Sequence, residues 1–430
     1  MCTKTSLNLF PSQYSGKENP SLEASVDEQL IHFINLIQEK YLSSASLSRL
    51  VDFARIAQYF ALDVITDVAS GKPYGFIETD SDVHDYLKIQ SILFPIFECF
   101  STLPSLERLI RFPPISKAVM PTAKDSKGLG HLMGVAEDIV NDRYDKAERE
   151  VSQPDMLGSF IRHGLPREQA KIEAVLQVIA GSDTTVTALR MTVLSISTSS
   201  TVLREVLAEI DEADRSGKLS KPIALETEIR SHLPYLCACV KESLRLWPPV
   251  TGLFFKDVPQ GGDVVDGAFL PGGTRLGYNA WALHRSKSLY GEDADIYRPS
   301  RWLEEAKDPD RLAEMTRSVD LIFGHGKYGC LGKPVALMEL HKAVTEVSLT
   351  LLFWLNGLLC TALPPSFCRE EINMPANQTG YTTALPTIRL CRRQSARSYA
   401  KPQPERPLCP MGHVDEDRCS ATHERWNELE

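Results

Sequence analysis

Phe323-Gly324-His325-Gly326-Lys327-Tyr328-Gly329-Cys330-Leu331-Gly332 is the stretch around which the rest of the chain can be ordered. Three glycines in the seven residues ending at Cys330 permit a tight loop whose backbone comes close to a ligand. From Lys333 to about Val347 apolar residues recur at helical spacing. Cys330 therefore stands at a helix start, where unpaired N–H groups and the helix dipole favour a thiolate. A thiolate is the ligand that pushes electron density onto an iron centre and favours O–O cleavage. On this reading Phe323 packs beside a planar ring, and Gly332 lets the helix approach it. A cysteine at a helix start is, on its own, more often structural than ligating; the full string reverses that balance.

Upstream, the longest helical pattern runs from Pro166 to about Ser195. Pro166 suits a first helical turn, where a missing N–H costs nothing. Ile172, Leu176, Ile179, Ala180, Asp183, Thr184 and Thr187 are expected to share one face. Within it lies Ala180-Gly181-Ser182-Asp183-Thr184-Thr185. A mid-helix glycine costs roughly 1 kcal/mol relative to alanine, so its presence makes sense if a small ligand must sit against the backbone. Asp183 and Thr184 can then pass protons to that ligand, the hydroxyl holding a water. The plainer alternative is a threonine back-bonded to the preceding turn.

A further helix is expected from about Pro234 to Leu246, stopped by Pro248 and Pro249. In Glu242-Ser243-Leu244-Arg245 the i, i+3 spacing puts carboxylate and guanidinium on one face. Such a pair in isolation is usually a solvated surface pair of little energetic consequence. Other helical patterns run from about Val26 to Lys40 and from Val51 through Asp67, the latter stopping near Gly71 before a Pro73–Gly75 loop. Ile92 to Phe100 is unusually apolar; a core helix and the wall or lid of an apolar channel are equal readings of it. Between Val250 and Thr274 glycine and β-branched residues read as short strands. The expected fold class is mainly α with a small β-sheet, without internal repeats.

Together these segments resemble the cytochrome P450 family. Phe323 to Gly332 matches the family's haem-binding signature, Phe-x-x-Gly-x-x-x-Cys-x-Gly, with Cys330 on the axial cysteine and Phe323, Gly324, Gly326 and Gly332 in the cradle. The stretch around Ala180 resembles the oxygen-activation sequence, with Asp183 on its acid and Thr184 on its threonine. Glu242 and Arg245 fall on the family's Glu-x-x-Arg, and Arg301 in Pro299-Ser300-Arg301-Trp302 on the arginine that locks to it; the resemblance implies a buried scaffold, not catalysts. VTGLFFKDVPQGGD and WALHRSKSLYGEDADIYRPSRWLEE are similar to fungal secondary-metabolism members, the pisatin demethylase group among them. That likeness implies a pocket lined by Ile179, Val250, Thr251, Gly252 and Leu253. It also implies heme b, NADPH electrons through a cytochrome P450 reductase, and the cytosolic face of the endoplasmic reticulum membrane.

The resemblance covers roughly Ser15 to Val347, giving an expected haem-thiolate domain over 1–348 and an atypical, partly disordered tail over 349–430. Where the family has a basic residue reaching a haem propionate, this chain has Tyr328; Lys327 or Lys256 is expected to supply that charge. The family's anchor helix and its Trp-x-x-x-Arg helix have no counterpart before Tyr14, so an N-terminally truncated chain is expected, with the cytosol as the alternative location for want of an anchor. Leu349 to Leu363 is too short to span a bilayer and reads as a core helix. Cys409, His413, Cys419 and His423 have a weakly zinc-like order, and Asn377-Gln378-Thr379 is a sequon relevant only to a secreted chain.

A net charge of -9 argues against a nucleic-acid partner. Ten scattered cysteines, among them Cys2, Cys99, Cys237, Cys239 and Cys360, do not make a disulfide framework, and a reducing compartment is expected. No obligate oligomer is indicated. The leading expectation is a monooxygenase that hydroxylates or O-demethylates an apolar metabolite. Its alternatives are a P450-like isomerase or dehydratase, which the acid–threonine pair disfavours, and a non-catalytic remnant that binds haem poorly.

Overall fold

A computed structural model describes residues 19, 21–42, 49–102, 112, 114–116, 121–146, 153–252, 255–352 and 388–389. The longer helices are α1 (Leu22–Leu36), α2 (Phe53–Ser70), α3 (Tyr86–Thr102), α4 (Gly128–Lys146), α5 (Met156–Arg162), α6 (Arg167–Thr198), α7 (Ser200–Arg215), α8 (Glu226–His232), α9 (Pro234–Leu246), α10 (Pro309–Asp320) and α11 (Lys333–Val347). The strands form two-stranded antiparallel ladders: β1 (Leu50–Val51) with β6 (Ile388–Arg389), β2 (Lys256–Asp257) with β5 (Arg275–Leu276), and β3 (Asp263–Val265) with β4 (Ala268–Leu270). The chain is thus mainly helical; β2, β3 and β4 fall in the expected stretch from Val250 to Thr274, β5 lies just beyond it, and the β1–β6 ladder lies outside it.

Local chemistry sets the boundaries. Asp52 caps α2 by accepting the Arg55 N–H, and Gly71 ends it at φ 69°, a left-handed conformation that glycine adopts without steric cost. Pro166 proves to be the cap of α6, at ψ 140°, and not part of its first turn. Ser199 breaks the path after α6, caps α7 through the Val202 N–H, and turns the chain by 104°.

The 32-residue α6 is the axis of the molecule and packs against α2, α4, α9 and α11. Apolar faces meet there and between α1 and α2, where Phe33 and Phe60 stack with ring centroids 4.9 Å apart. Each such side chain, fully buried, contributes roughly 1.5–3 kcal/mol. Of the two equal readings of Ile92 to Phe100, the core helix does not hold for the side chains described. Tyr86 and Gln90 turn inward, but Ile92, Phe94 and Ile96 are 60%, 40% and 43% exposed. Among the described residues no single helix is long and apolar enough to cross a membrane. Leu349 is buried in the turn that follows α11. The sequon, the Cys409–His423 group, Leu253 and most of the stretch after Leu352 lie outside the described residues.

Candidate active site

Along α9, a polar lock gathers around one carboxylate. Glu242 and Arg245 share a face of α9, and Arg301 begins a single turn at Arg301–Glu304. Arg245 grips Glu242 with two bonds, Nε to Oε2 at 2.9 Å and Nη2 to Oε1 at 2.8 Å. Arg301 Nε donates to Oε1 at 2.9 Å, the Trp302 indole to Oε2 at 2.9 Å, and the Arg298 amide to Oε1 at 3.0 Å. The remaining guanidinium N–H groups go to the carbonyls of His284, Ala294, Tyr290, Asp293 and Ile296 and to the Asp293 carboxylate. All three charged side chains are at most 1% exposed. Their planar forks account for arginine, not lysine, at both positions. The lock ties α9 to the segment leading into α10 and the cysteine loop.

That loop turns at Gly324, where φ is 74° and a Cβ would stand 2.5 Å from the Tyr328 carbonyl oxygen; only glycine fits. The Cys330 amide closes it by donating to the Phe323 carbonyl at 2.5 Å. Gly332 caps α11, and a Cβ there would stand 3.9 Å from the Cys330 sulfur. The sulfur opens into an apolar cavity of about 440 Å³ between α6 and α11. Phe323, Leu331, Val335 and Ala336 form its wall on the cysteine side, and Leu176, Ala180, Thr184 and Ala188 on the side of α6. Val250 and Pro249 close one end.

The sulfur's electrostatics depart from the sequence expectation. Burial raises the Cys330 thiol above its usual range, and the N–H groups of Gly332 and Lys333, with the Lys333 charge, only partly offset this. A bound cation would favour the thiolate further. One soft sulfur in an apolar slot suits a flat, apolar iron-bearing ring and would suit no polyanion, so the residues present fit a haem. At the rim Lys256 and Lys327 hold their ammonium groups 5.3 and 4.8 Å from the Tyr328 ring centroid, placing both candidate propionate cations together.

The α6 wall is also corrected. Thr184 faces the cavity, its hydroxyl donating to the Ala180 carbonyl at 2.9 Å. Asp183, about 100° further round the helix, turns instead toward α2 and α3. Gln58 Nε2 donates to its Oδ1 at 2.8 Å, and Gln90 donates to Oδ2. Gln58 is itself held by Arg190 at 3.0 Å. Burial raises the Asp183 carboxyl to about 6, opposed by the Gln58 hydrogen bond and the Arg190 charge. The expected seven-residue face therefore splits: Leu176, Ala180 and Thr184 line the cavity, whereas Ile179, Asp183 and Thr187 do not, and Ile172 is 63% exposed. Gly181 serves packing as well, since a Cβ there would meet Ile65 of α2 at 2.7 Å. Thr251 and Gly252 are exposed and outside the lining.

Sequence reasoning missed Gln58, Gln90 and Glu339. Glu339 is buried on the cavity wall, burial holds its carboxyl well above the usual range, and its Oε1 has no hydrogen-bond partner among the described residues. The spacing Val335, Ala336, Glu339, Leu340 was the signal available for it; Gln58 and Gln90 carried none.

The cytochrome P450 family model matches residues 4–349. Cytochrome P450 monooxygenase ABA1 of Pyricularia oryzae is 43% identical over 338 residues, covering 78% of this chain and 65% of that protein. Its namesake aba1 of Botryotinia fuckeliana is 38% identical over 336 residues, 78% of this chain and 65% of that protein. Cytochrome P450 monooxygenase abl1 of Leptosphaeria maculans is 36% identical over 335 residues, 77% of this chain and 58% of that protein. The chain thus spans somewhat less than two thirds of the length of these relatives.

Proposed function

Because the chain belongs to the cytochrome P450 family, we propose that it is a haem-thiolate monooxygenase inserting one atom of O2 into an apolar small molecule. Hydroxylation or O-demethylation of a fungal secondary metabolite is the specific reading, with electrons from NADPH through a cytochrome P450 reductase at the cytosolic face of the endoplasmic reticulum membrane. The observation that carries it is the Cys330 sulfur opening into the same apolar cavity as the Thr184 hydroxyl. Haem bound there supplies the one-electron and O2 chemistry.

The chain's own residues do the rest. Cys330 would offer the iron a single sulfur, with the Gly332 and Lys333 N–H groups favouring its thiolate. Lys256 and Lys327, both beside the Tyr328 ring, would supply positive charge to the ring's carboxylates. Thr184 commits its proton to Ala180, so its lone pairs face the cavity and can accept a hydrogen bond from a water. Asp183 can hold a proton near neutral pH, and it reaches the cavity only by leaving Gln58 and Gln90. Leu176 and Val250 give an apolar substrate its contacts and exclude water.

The test is haem loading of the full chain, reduction, and a carbon monoxide difference spectrum. A strongly red-shifted Soret band that disappears in Cys330→Ser is expected. Absence of haem uptake, or an unshifted band in the unmodified chain, overturns the reading. With turnover established, Thr184→Ala should keep consuming O2 while releasing it as peroxide; unchanged coupling would remove Thr184 from the proton route.

A further inference from the structure

Asp183 is held off the cavity by two amides that are themselves secured very differently. Gln58 belongs to α2 and is 4% exposed. Its Oε1 accepts from Arg190 Nη2 at 3.0 Å, and the same guanidinium is anchored to the Ala54 carbonyl through Nη2 and through Nε, the latter at 2.9 Å. Arg190 stands seven residues beyond Asp183, so the two share a face of α6, roughly 10 Å apart along its axis. Gln58 bridges that gap, accepting from the arginine and donating to the acid. This half of the hold is built into the core.

The other half is not. Gln90 donates to Asp183 Oδ2, and no further side-chain hydrogen bond backs it among the described residues. It stands on α3, which packs chiefly on α4, with Ile89 seated against Gly128, where a Cβ would come within 2.7 Å of its Cδ1. Further along α3, Ile92, Phe94 and Ile96 are exposed. The Gln90 bond therefore ties an outer helix directly to α6. Tyr86, one turn earlier, is the ionisable group facing Asp183 from α3; burial raises its phenol above the usual range, so it stays neutral. On the α2 side the charged groups are Arg190 itself and Asp52, which acts on the arginine.

We infer that Gln90 is a positioning residue for Asp183: with α3 docked its amide keeps the carboxyl off the cavity, and displacement of α3 from α6 releases it toward Thr184. The inference rests on the proton route read above for Asp183 and Thr184. A released Asp183 gives the proton of its carboxyl O–H to a water held by the Thr184 hydroxyl. The carboxylate left behind takes a proton from solvent hydronium, which restores the acid. Removing either glutamine then has opposite effects. Without Gln90 the acid keeps one donor and is free to turn. Without Gln58 the bridge is gone, Arg190 is left to pair with Asp183 directly, and a charge-assisted pair holds the acid harder.

The test uses the full chain, first without haem. Infrared titration of the Asp183 carboxyl, taken as the difference from Asp183→Asn, should centre at about 6 in the parent. Gln90→Leu should move the midpoint up by about one pH unit, a roughly tenfold gain in proton affinity, and Gln58→Ala should move it down by a similar amount. Gln90→Asn, one methylene too short to reach Oδ2, should repeat the upward move if the leucine variant does not fold. In the haem-loaded enzyme Gln90→Leu should raise kcat and shrink its solvent isotope effect at unchanged KM, while Gln58→Ala lowers kcat. A midpoint that stays put in both Gln90 variants, or that moves the same way when Gln58 is removed, overturns the inference. A midpoint that moves as expected while kcat and the isotope effect do not supports the hold by Gln90 and instead overturns the part read for Asp183 in the proton route.

Discussion

The Glu242 lock and the Cys330 cavity both take charged or reactive groups out of water, and they treat them in opposite ways. In the lock every carboxylate oxygen accepts at least two hydrogen bonds, and the guanidinium groups find carbonyls as well. In the cavity wall Glu339 Oε1 has no partner among the described residues, burial holds the Cys330 thiol above its usual range, and Asp183 is turned aside onto two glutamines. A satisfied network fixes a fold; an unsatisfied one marks where something else is meant to bind. The contrast explains how both regions can descend from short motifs and yet differ in purpose.

The sharpest way to break the comparison is to damage each region once. Glu242→Gln keeps the shape but leaves Arg245 and Arg301 buried without a countercharge, and should lower unfolding stability by about 3–5 kcal/mol. Cys330→Ser, measured without haem, should stay within about 1 kcal/mol of the parent while abolishing the thiolate spectrum. Denaturant midpoints at unchanged m-value read both. Equal losses would mean that the cysteine loop is as structural as the lock, and the distinction would fall.

How far the sequence revealed these regions follows from the range of the forces involved. The α2, α6, α9 and α11 helices were legible because apolar spacing, Pro234 and Gly71 act within a turn or two; the Asp52 cap of α2 appears only in the structure. The Cys330 loop was legible because glycine at a left-handed position has few substitutes, and Gly324 occupies such a position. What stayed hidden was rotational: hydrophobic spacing placed Asp183 and Thr184 on one face, whereas neighbouring residues on a helix point about 100° apart. Only the long-range partners Gln58 and Gln90, 125 and 93 residues away, decide where the acid turns. The α3 surface was hidden for the same reason, since apolar composition does not reveal which side a helix leaves exposed.

Gly181 separates the two accounts of the α6 wall at intermediate cost. If it is there for a ligand, Gly181→Ala gains about 1 kcal/mol of helix propensity and loses only binding. The structure places Ile65 where that Cβ would go, so overpacking should win and the variant should lose about 1–3 kcal/mol. Trimming Ile65 to Val in the same chain should recover part of the loss, and a thermodynamic cycle over the four proteins would measure the coupling. Additive effects would return Gly181 to the ligand.

The smallest effect tests the side of α6 that the cavity does not see. Asp183 has a folded value of about 6, above the roughly 3.9 of an unfolded aspartate. Below about pH 4 both states hold the proton and the group is neutral to stability. Between about 4 and 6 the folded state keeps a proton that the unfolded state has released, so stability falls as pH rises, and above about 6 the penalty is complete. Asp183→Asn removes this titration, so the variant should gain on the parent, by on the order of 1 kcal/mol between pH 4 and 7. The gain stays below the full shift because an asparagine turns its own N–H groups toward one of the two glutamine donors. Asp67, also raised to about 6 by burial, titrates in both proteins and cancels in the difference. A difference that stays flat with pH would mean that the carboxyl is already ionised and solvated, in which case the glutamines do not hold it away from the cavity and no swing is needed for it to act.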